Sequence, residues 1–225
     1  MATREESRVK QRLIAVLLVL AAMSLPLTAG MAGSTPETLA TGDGKPWLAY
    51  LPMEGVQAWL IPGIQAEAPP GLDALYGWMG EERDGSEVLD ARLFRMPNGR
   101  VLISCSRSEV AVDISPVDLI RLWPEIAAKL MKKSQYVDGN TDNASIQTLA
   151  GEEWLHIHTK AVLDGEKMLS VELECFALCR EGAIVEIWQA WPSTATYKYD
   201  DGAAAELQAD LGTAAEWIHG VSLPE

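Results

Sequence analysis

Cysteine is scarce in this chain, three among 225 residues, and the three are poorly spaced for bonding to one another. Cys175 and Cys179 stand four apart on what reads as a strand. Their Cα atoms would lie ~13 Å apart, beyond the roughly 7 Å that a disulfide spans. Any bridge must therefore join Cys105 to one of them, and three buried thiols without a bridge are the favoured expectation. Neither a CxxC pair nor a zinc-ligand spacing occurs. Histidine is equally rare at three, and His219 lies near the end of the last helical pattern. A Ser–His–Asp arrangement has little to draw on, and there is no Gly-x-Ser-x-Gly elbow. "GDGKP" (42–46) lacks the earlier glycine and the Ser/Thr of a phosphate loop, and no dinucleotide fingerprint is present. No cofactor is expected, and non-enzymatic readings come to the front.

Basic charge is also short. Eighteen Lys and Arg face 32 Asp and Glu, a formal net charge of −14. A surface this acidic repels phosphate backbones and anionic lipid, so nucleic acid is not an expected partner. Internal repeats and low-complexity tracts are missing. The unbroken apolar run "LIAVLLVLAAMSL" (13–25) is 13 residues long, short of the roughly 20 that span a bilayer. It follows Arg4, Arg8, Lys10 and Arg12 and precedes Pro26 and the small residues of "LTAGMAGS". That order is the pattern of a secretory signal peptide. Residues 1–32 are therefore expected to be a signal peptide cleaved after Ala32, with an uncleaved anchor as the competing reading. No cysteine lies near the cleavage region, which excludes lipoprotein attachment. Residues 33–45, "GSTPETLATGDGK", read as a flexible leader, and 46–225 as a single domain. The chain is expected outside the cytoplasm: periplasmic, envelope-bound or extracellular, with no stable membrane insertion after cleavage.

What is present is a succession of short strands broken by two helices. "WLAYLPMEGVQAWLIPG" reads as two strands joined at Glu54–Gly55, and a helical turn is expected near Leu72–Trp78. "SEVLDARLFRMPNGRVLISCS" carries the cleanest hairpin signal, because Asn98–Gly99 supplies positive φ angles. "DISPVDLIRLWPEIAAKLMKKS" reads as a central helix. Ser115 is its N-cap, Pro116 its first residue, and Leu119, Leu122, Ile126 and Leu130 its buried stripe. Pro124 should kink it or divide it in two. Strands over roughly 145–162, 167–179 and 183–191 follow in meander order. The chain closes on an amphipathic helix with Leu207, Leu211, Ala215 and Ile218 inward. The sum is an α+β domain: an antiparallel β-sheet with a central and a C-terminal helix packed on it.

The segment "WLHIHTKAVLDGEKMLSVELECFALC" (154–179) carries the densest candidate chemistry. A two-residue turn at Asp164–Gly165 would set Leu155 and Ile157 opposite Glu174 and Glu172, mixing apolar and charged groups. A three-residue loop, Leu163–Asp164–Gly165, sets Leu155 opposite Leu173 and Ile157 opposite Val171. It brings His156 to Glu172 and Trp154 to Glu174. A three-residue turn ending at Gly182 likewise pairs Cys179 with Ala183, Ala177 with Val185 and Cys175 with Ile187. One face is then core, and the other is a band of Trp154, His156, Glu172, Glu174, Phe176, Glu186 and Trp188, part of it covered by a helix or by the N-terminal strands. His156 and His158 share a face, as metal ligands on strands do, but a site needs three or four converging groups. An ordinary cross-strand polar pairing is the favoured reading, with His156, His158 and Glu172 as the candidate metal ligands if it fails.

Two further patterns are weaker. "DGNTDNASIQTL" (138–149) begins like a calcium loop with Asp138, Asn140 and Asp142. It then has Asn143 where the turn needs glycine and Leu149 where a bidentate glutamate belongs, so a polar turn is expected. Trp188, Trp191, Tyr197 and Tyr199 cluster before the last helix, as packing or as part of a partner surface.

The order of elements resembles the PsbP/Mog1-like α/β sandwich over roughly residues 46–222. It has an N-terminal hairpin, a central helix, and "IQTLAGEEWLHIHTK", with Leu149-Ala150-Gly151 before the meander; "EIWQAWPSTA" and a terminal helix complete it. The resemblance implies a non-enzymatic accessory role and transfers no functional residue. The expected function is that of an exported binding or accessory protein of the bacterial cell envelope. Its partner, an envelope protein or a small ligand, would meet Trp154, Glu174, Phe176 and Trp188. A metal-binding protein or metal-dependent enzyme using the His-x-His face is the alternative, and an assembly component without a ligand is the third.

Overall fold

Most successive strands of the main sheet pair as antiparallel hairpins, and the connections among the described residues are decided by local backbone chemistry. The computed structural model describes residues 35–60, 67–80, 88–130, 136–137, 143–163, 168–194 and 199–224. The segment expected to be a signal peptide lies outside the described residues. Strands β1 (Glu37–Ala40) and β2 (Pro46–Tyr50) form a separate antiparallel pair. The main sheet contains β3 (Gln57–Leu60), β4 (Val88–Arg95), β5 (Leu102–Glu109), β6 (Tyr136–Val137), β7 (Ala144–Leu149), β8 (Glu152–Leu163), β9 (Leu169–Arg180) and β10 (Ala183–Pro192). Its order is β3-β4-β5-β10-β9-β8-β6, with β7 also pairing β8, and every pairing is antiparallel. Helices α1 (Asp73–Gly80), α2 (Pro116–Leu130) and α3 (Asp201–His219) complete the fold. The class is α+β, as expected, and residues Thr35–Glu225 form one unit by their contacts.

A hydrophobic cluster lies against each face of the sheet. Beneath α1 and α2 lie Leu155, Ile157, Leu173, Cys175 and Trp188, which pack on Leu75, Leu119 and Trp123. Trp188 meets Trp123 with ring centroids 6.2 Å apart. Beneath α3 and the β1–β2 hairpin lie Ile103, Cys105, Trp154, Phe176 and Ile187. Phe94 there packs between Tyr50, met edge to face at 5.0 Å, and Trp217, tilted at 4.6 Å. Paired bonds between Ala49 and Ser222, both 2.8 Å, tie the end of the chain to β2.

Helix α3 is also locked to the β4–β5 turn. Asp210 is fully buried, and its carboxylate accepts from the Asn98 backbone N–H (2.9 Å), the Asn98 side-chain amide (3.0 Å) and the Arg100 N–H (2.7 Å). Glu206 accepts from Arg100 at 2.7 Å one turn earlier. A buried carboxylate is tolerable because its lone pairs are filled by donors that otherwise lack partners. Gly99, at φ 73°, is required in that turn. A Cβ there would come within 2.7 Å of the Arg95 guanidinium and 2.8 Å of the Tyr76 hydroxyl.

Several expectations are corrected. Residues 37–40, within the expected flexible leader, form β1. β2 and β3 do not pair with each other; β2 pairs with β1 and β3 with β4. The expected strand 145–162 is two strands, because Ala150 (φ 55°) and Gly151 (φ 81°) form a tight turn between β7 and β8. An alanine in the left-handed region carries no turn signal, which hid it. Asn98 does not take a positive φ beside Gly99. α2 is not divided in two at Pro124, and it is capped as expected by Ser115, whose Oγ accepts from the Asp118 N–H at 3.2 Å. Its buried stripe includes Trp123 beside Leu119, and the side chains of Ile126 and Leu130 lie outside the described set. In α3 Leu207 and Ile218 are buried as expected and Leu211 packs half-buried against the same core, while Asp210, Ala214 and Trp217 complete the stripe and Ala215 is exposed.

The two registers come out differently. β8 and β9 pair as Leu155 with Ala177, Ile157 with Cys175 and His158 with Glu174, an even step away from the expected alignment. The even shift keeps every side chain on its expected face. The β9–β10 turn is two residues, Glu181 (φ 54°) and Gly182 (φ 71°), so Cys175 pairs with Trp188 and Phe176 with Ile187. That odd shift turns β10 over. Trp188 therefore belongs to the α1–α2 core, not to the band with Glu174 and Phe176. Cys105 projects to the face opposite Cys175 and Cys179, and none of the three forms a disulfide. Cys179 is half-exposed rather than buried.

Candidate functional site

On the face that α3 covers, strands β8, β9 and β10 run from buried to open. β8 presents Trp154, His156, His158 and Lys160 in sequence, because alternate side chains share a face. Trp154 is buried, and its indole N–H donates to the Leu149 carbonyl at 2.8 Å. The next rungs emerge: side-chain exposure is 13% at His156 and 52% at His158. β9 follows the same face from Phe176, which is buried, to the half-buried Glu174 and Glu172.

The polar groups form two linked pairs. His156 Nε2 donates to Glu174 Oε1 at 2.7 Å, and its Nδ1 accepts from the Gln147 amide at 2.9 Å, with Ser145 Oγ at 3.3 Å. The amide donor on Nδ1 fixes the proton on Nε2. Its ring also rests on Phe176, 4.8 Å between centroids. His158 Nε2 donates to Glu172 Oε2 at 3.2 Å, and the ring stacks on Trp191 at 5.9 Å. Glu172 further accepts from Ser193 Oγ at 2.8 Å and Lys160 Nζ at 3.2 Å. The carboxylates thus hold both imidazoles in place.

Of the residues singled out from the sequence, the geometry brings together His156, His158, Glu172 and Glu174. His156 meets Glu174 instead of the expected Glu172, and His158 meets Glu172, both contacts running diagonally across the β8–β9 ladder. Trp154 and Phe176 line the buried end beneath the strip and offer no open surface. Trp188 is 1% exposed on the opposite face and cannot contribute. Sequence reading missed Gln147, Ser145, Lys160 and Ser193 as members. Trp191 carried a signal, the aromatic cluster before α3, and Tyr197 of that cluster lies outside the described residues. Asn143 and Leu149 are described while 138–142 are not, and Leu149 ends β7 with its side chain buried.

Chemically, the strip offers two carboxylates, an exposed imidazole and an aromatic edge. Among the described residues no group of three or more His, Cys, Asp or Glu side chains converges as a metal site would. His156 is engaged by Glu174 and Gln147, and His158 by Glu172. Among the described residues, too, no helix is long and apolar enough to cross a membrane.

The sequence matches no protein-family model and no curated protein. Solved structures do resemble the chain. Cyanobacterial PsbP (CyanoP) from Synechocystis is 12% identical over 89% of this chain and 100% of its own, at a TM-score of 0.46. The Ran-binding protein Mog1p of Saccharomyces cerevisiae is 10% identical, covering 85% of this chain and 96% of its own, at 0.43. LpqN of Mycobacterium tuberculosis, involved in cell envelope biogenesis, is 11% identical over 88% of each chain, at 0.35. These likenesses, at 10–12% identity, assign the chain neither a family nor a role.

Proposed function

We propose that this chain is an exported, non-enzymatic binding or accessory protein of the bacterial cell envelope. Its partner surface is the open strip of His158, Glu172, Glu174 and Trp191. The observation that carries the reading is the unequal cover of one sheet face. α3 and the β1–β2 hairpin bury its far half, while the near half keeps an ordered, hydrogen-bonded set of charged and aromatic groups. Such a set, rigid before binding, loses little side-chain freedom on contact. Two carboxylates beside a tryptophan edge suit a cationic segment of a protein partner. Export is supported by the basic, apolar and small-residue order of residues 1–32.

The test is site-specific photo-crosslinking in envelope extracts of the source cells. A benzophenone side chain at position 158 is expected to give a discrete adduct, and one at Gln208 on exposed α3 is expected to give none. Glu172→Lys with Glu174→Lys should abolish the adduct while the circular dichroism stays unchanged. Equal adducts at both positions, or an adduct indifferent to the double substitution, would remove this surface. N-terminal sequencing of the mature protein tests cleavage after Ala32.

A further inference from the structure

At the opposite end of the same face lies a groove of about 50 Å³ between the β1–β2 turn, the β9–β10 turn and the chain segment at Leu223 and Pro224. Its floor is apolar: Trp47, Leu178 and Val185, all buried. Its rim is cationic, with Lys45, Arg107 and Arg180. Three cations around one small groove are unexpected in a chain of net charge −14, where positive side chains are the minority.

The rim charges are not equally engaged. Glu181 stands between Lys45 and Arg180, 3.2 Å from each, and its carboxyl is held below the usual range, first by the Lys45 hydrogen bond. Arg107 differs. β5 holds it between Val185 of β10 and Asp90 of β4 in register. It is half-buried, with no hydrogen-bond or ion-pair partner among the described residues. A guanidinium carries five donors in a planar fork that matches a carboxylate edge to edge. Placed over an apolar floor, it suits a molecule with one charged end and one apolar end. Since a water-sized group needs roughly 10–15 Å³ of such space, the groove admits about four non-hydrogen groups beyond its mouth. That size suits a ligand of few non-hydrogen atoms better than a lipid headgroup or a nucleotide.

We propose that this groove binds a small aliphatic monocarboxylate, its carboxylate on Arg107 and its short tail against Trp47, Leu178 and Val185. The site is separate from the His–Glu strip and does not depend on it. The expected affinity is weak, a dissociation constant on the order of 1–10 mM for so few atoms.

Nitrogen–proton correlation spectra of the protein, titrated with three probes, test this. Butyrate has both charge and tail, 1-butanol the tail alone, and inorganic phosphate the charge alone. Butyrate is expected to give saturable shifts confined to the amides of Arg107, Gly182, Val185 and their neighbours. Butanol and phosphate should each bind at least about tenfold more weakly, since each loses one half of the recognition. Arg107→Gln should weaken butyrate by about tenfold and leave distant resonances in place. Phosphate binding as well as butyrate would mean a diffuse attraction for anions and would overturn the proposal. Butanol binding as well as butyrate would reduce the groove to an apolar dimple and overturn it too, as would shifts that never saturate. If Arg107→Gln does not fold, the three-probe comparison on the unaltered protein decides alone.

Discussion

One face of one sheet carries two regions built from the same strands, and they differ in what covers them. At the α3 end Phe94, Tyr50 and Trp217 interlock, and Asp210 clasps the β4–β5 turn. At the other end the same alternation places His158, Lys160, Glu172 and Trp191, with no helix above them among the described residues. The strand pattern is equally regular in both. Cover, not alternation, separates structural side chains from available ones. An aromatic residue on the face is therefore evidence of function only at the open end.

Substitutions at the two ends sharpen or break this contrast. Trp217→Ala should cost about 3–5 kcal/mol, since it empties a space shared with Phe94 and Tyr50. Urea unfolding followed by circular dichroism measures it, and a cost below about 1 kcal/mol would mean that α3 is not a true cover. Next, Asp210→Ala should cost about 2–3 kcal/mol by stranding the Asn98 and Arg100 donors, and Asp210→Asn should recover part of that.

The third effect is pH-dependent. Burial raises the Cys105 pKa from its ordinary 9.0. The folded thiol keeps its proton while the unfolded one loses it, so the contribution is intact below pH 9.0 and falls as pH rises toward the raised folded value. The slope is about 1.4 kcal/mol per pH unit for one group. Tyr50, raised by burial and by its bond to Glu37, adds a second limb from 10.0 upward. Cys105→Ala should be less stable at neutral pH and lack the first limb, and urea midpoints between about pH 8 and 10.5 check it. Ala150→Gly should stabilise by about 0.5–1 kcal/mol, by relieving a left-handed alanine. Smallest of all, His158→Ala should change stability by no more than about 0.5 kcal/mol while weakening the proposed partner. Were it to cost as much as Trp217→Ala, the open end would be structural too.

Much of this was legible in the chain. Ser115 capped the helix it was expected to cap, the Pro-Asn-Gly turn closed its hairpin, and the hydrophobic sorting of β8 against β9 put Leu155, Ile157, Val171 and Leu173 on one side. Other features were hidden for identifiable reasons. Alternation sets register only to within even shifts, so the β8–β9 faces survived a misaligned ladder. The β9–β10 turn is one residue shorter than expected, and that parity change carried Trp188 into the opposite core. Asp210 gave no sign of burial, because a carboxylate is an exposed residue by default. Its partners lie more than a hundred positions away, in the Asn98–Arg100 turn.

By itself, then, the amino-acid order made most of the strands and helices legible, β1 and the β7–β8 turn apart, and showed which motifs the chain lacks. Both are local matters of periodicity, caps and residue types. The tertiary structure alone decided that a single face is half core and half open. It also decided that two histidines are each tied to a carboxylate, and that Arg107 stands over an apolar groove. Those outcomes depend on turn parity and on where α3 comes to rest, and contacts between distant segments settle both.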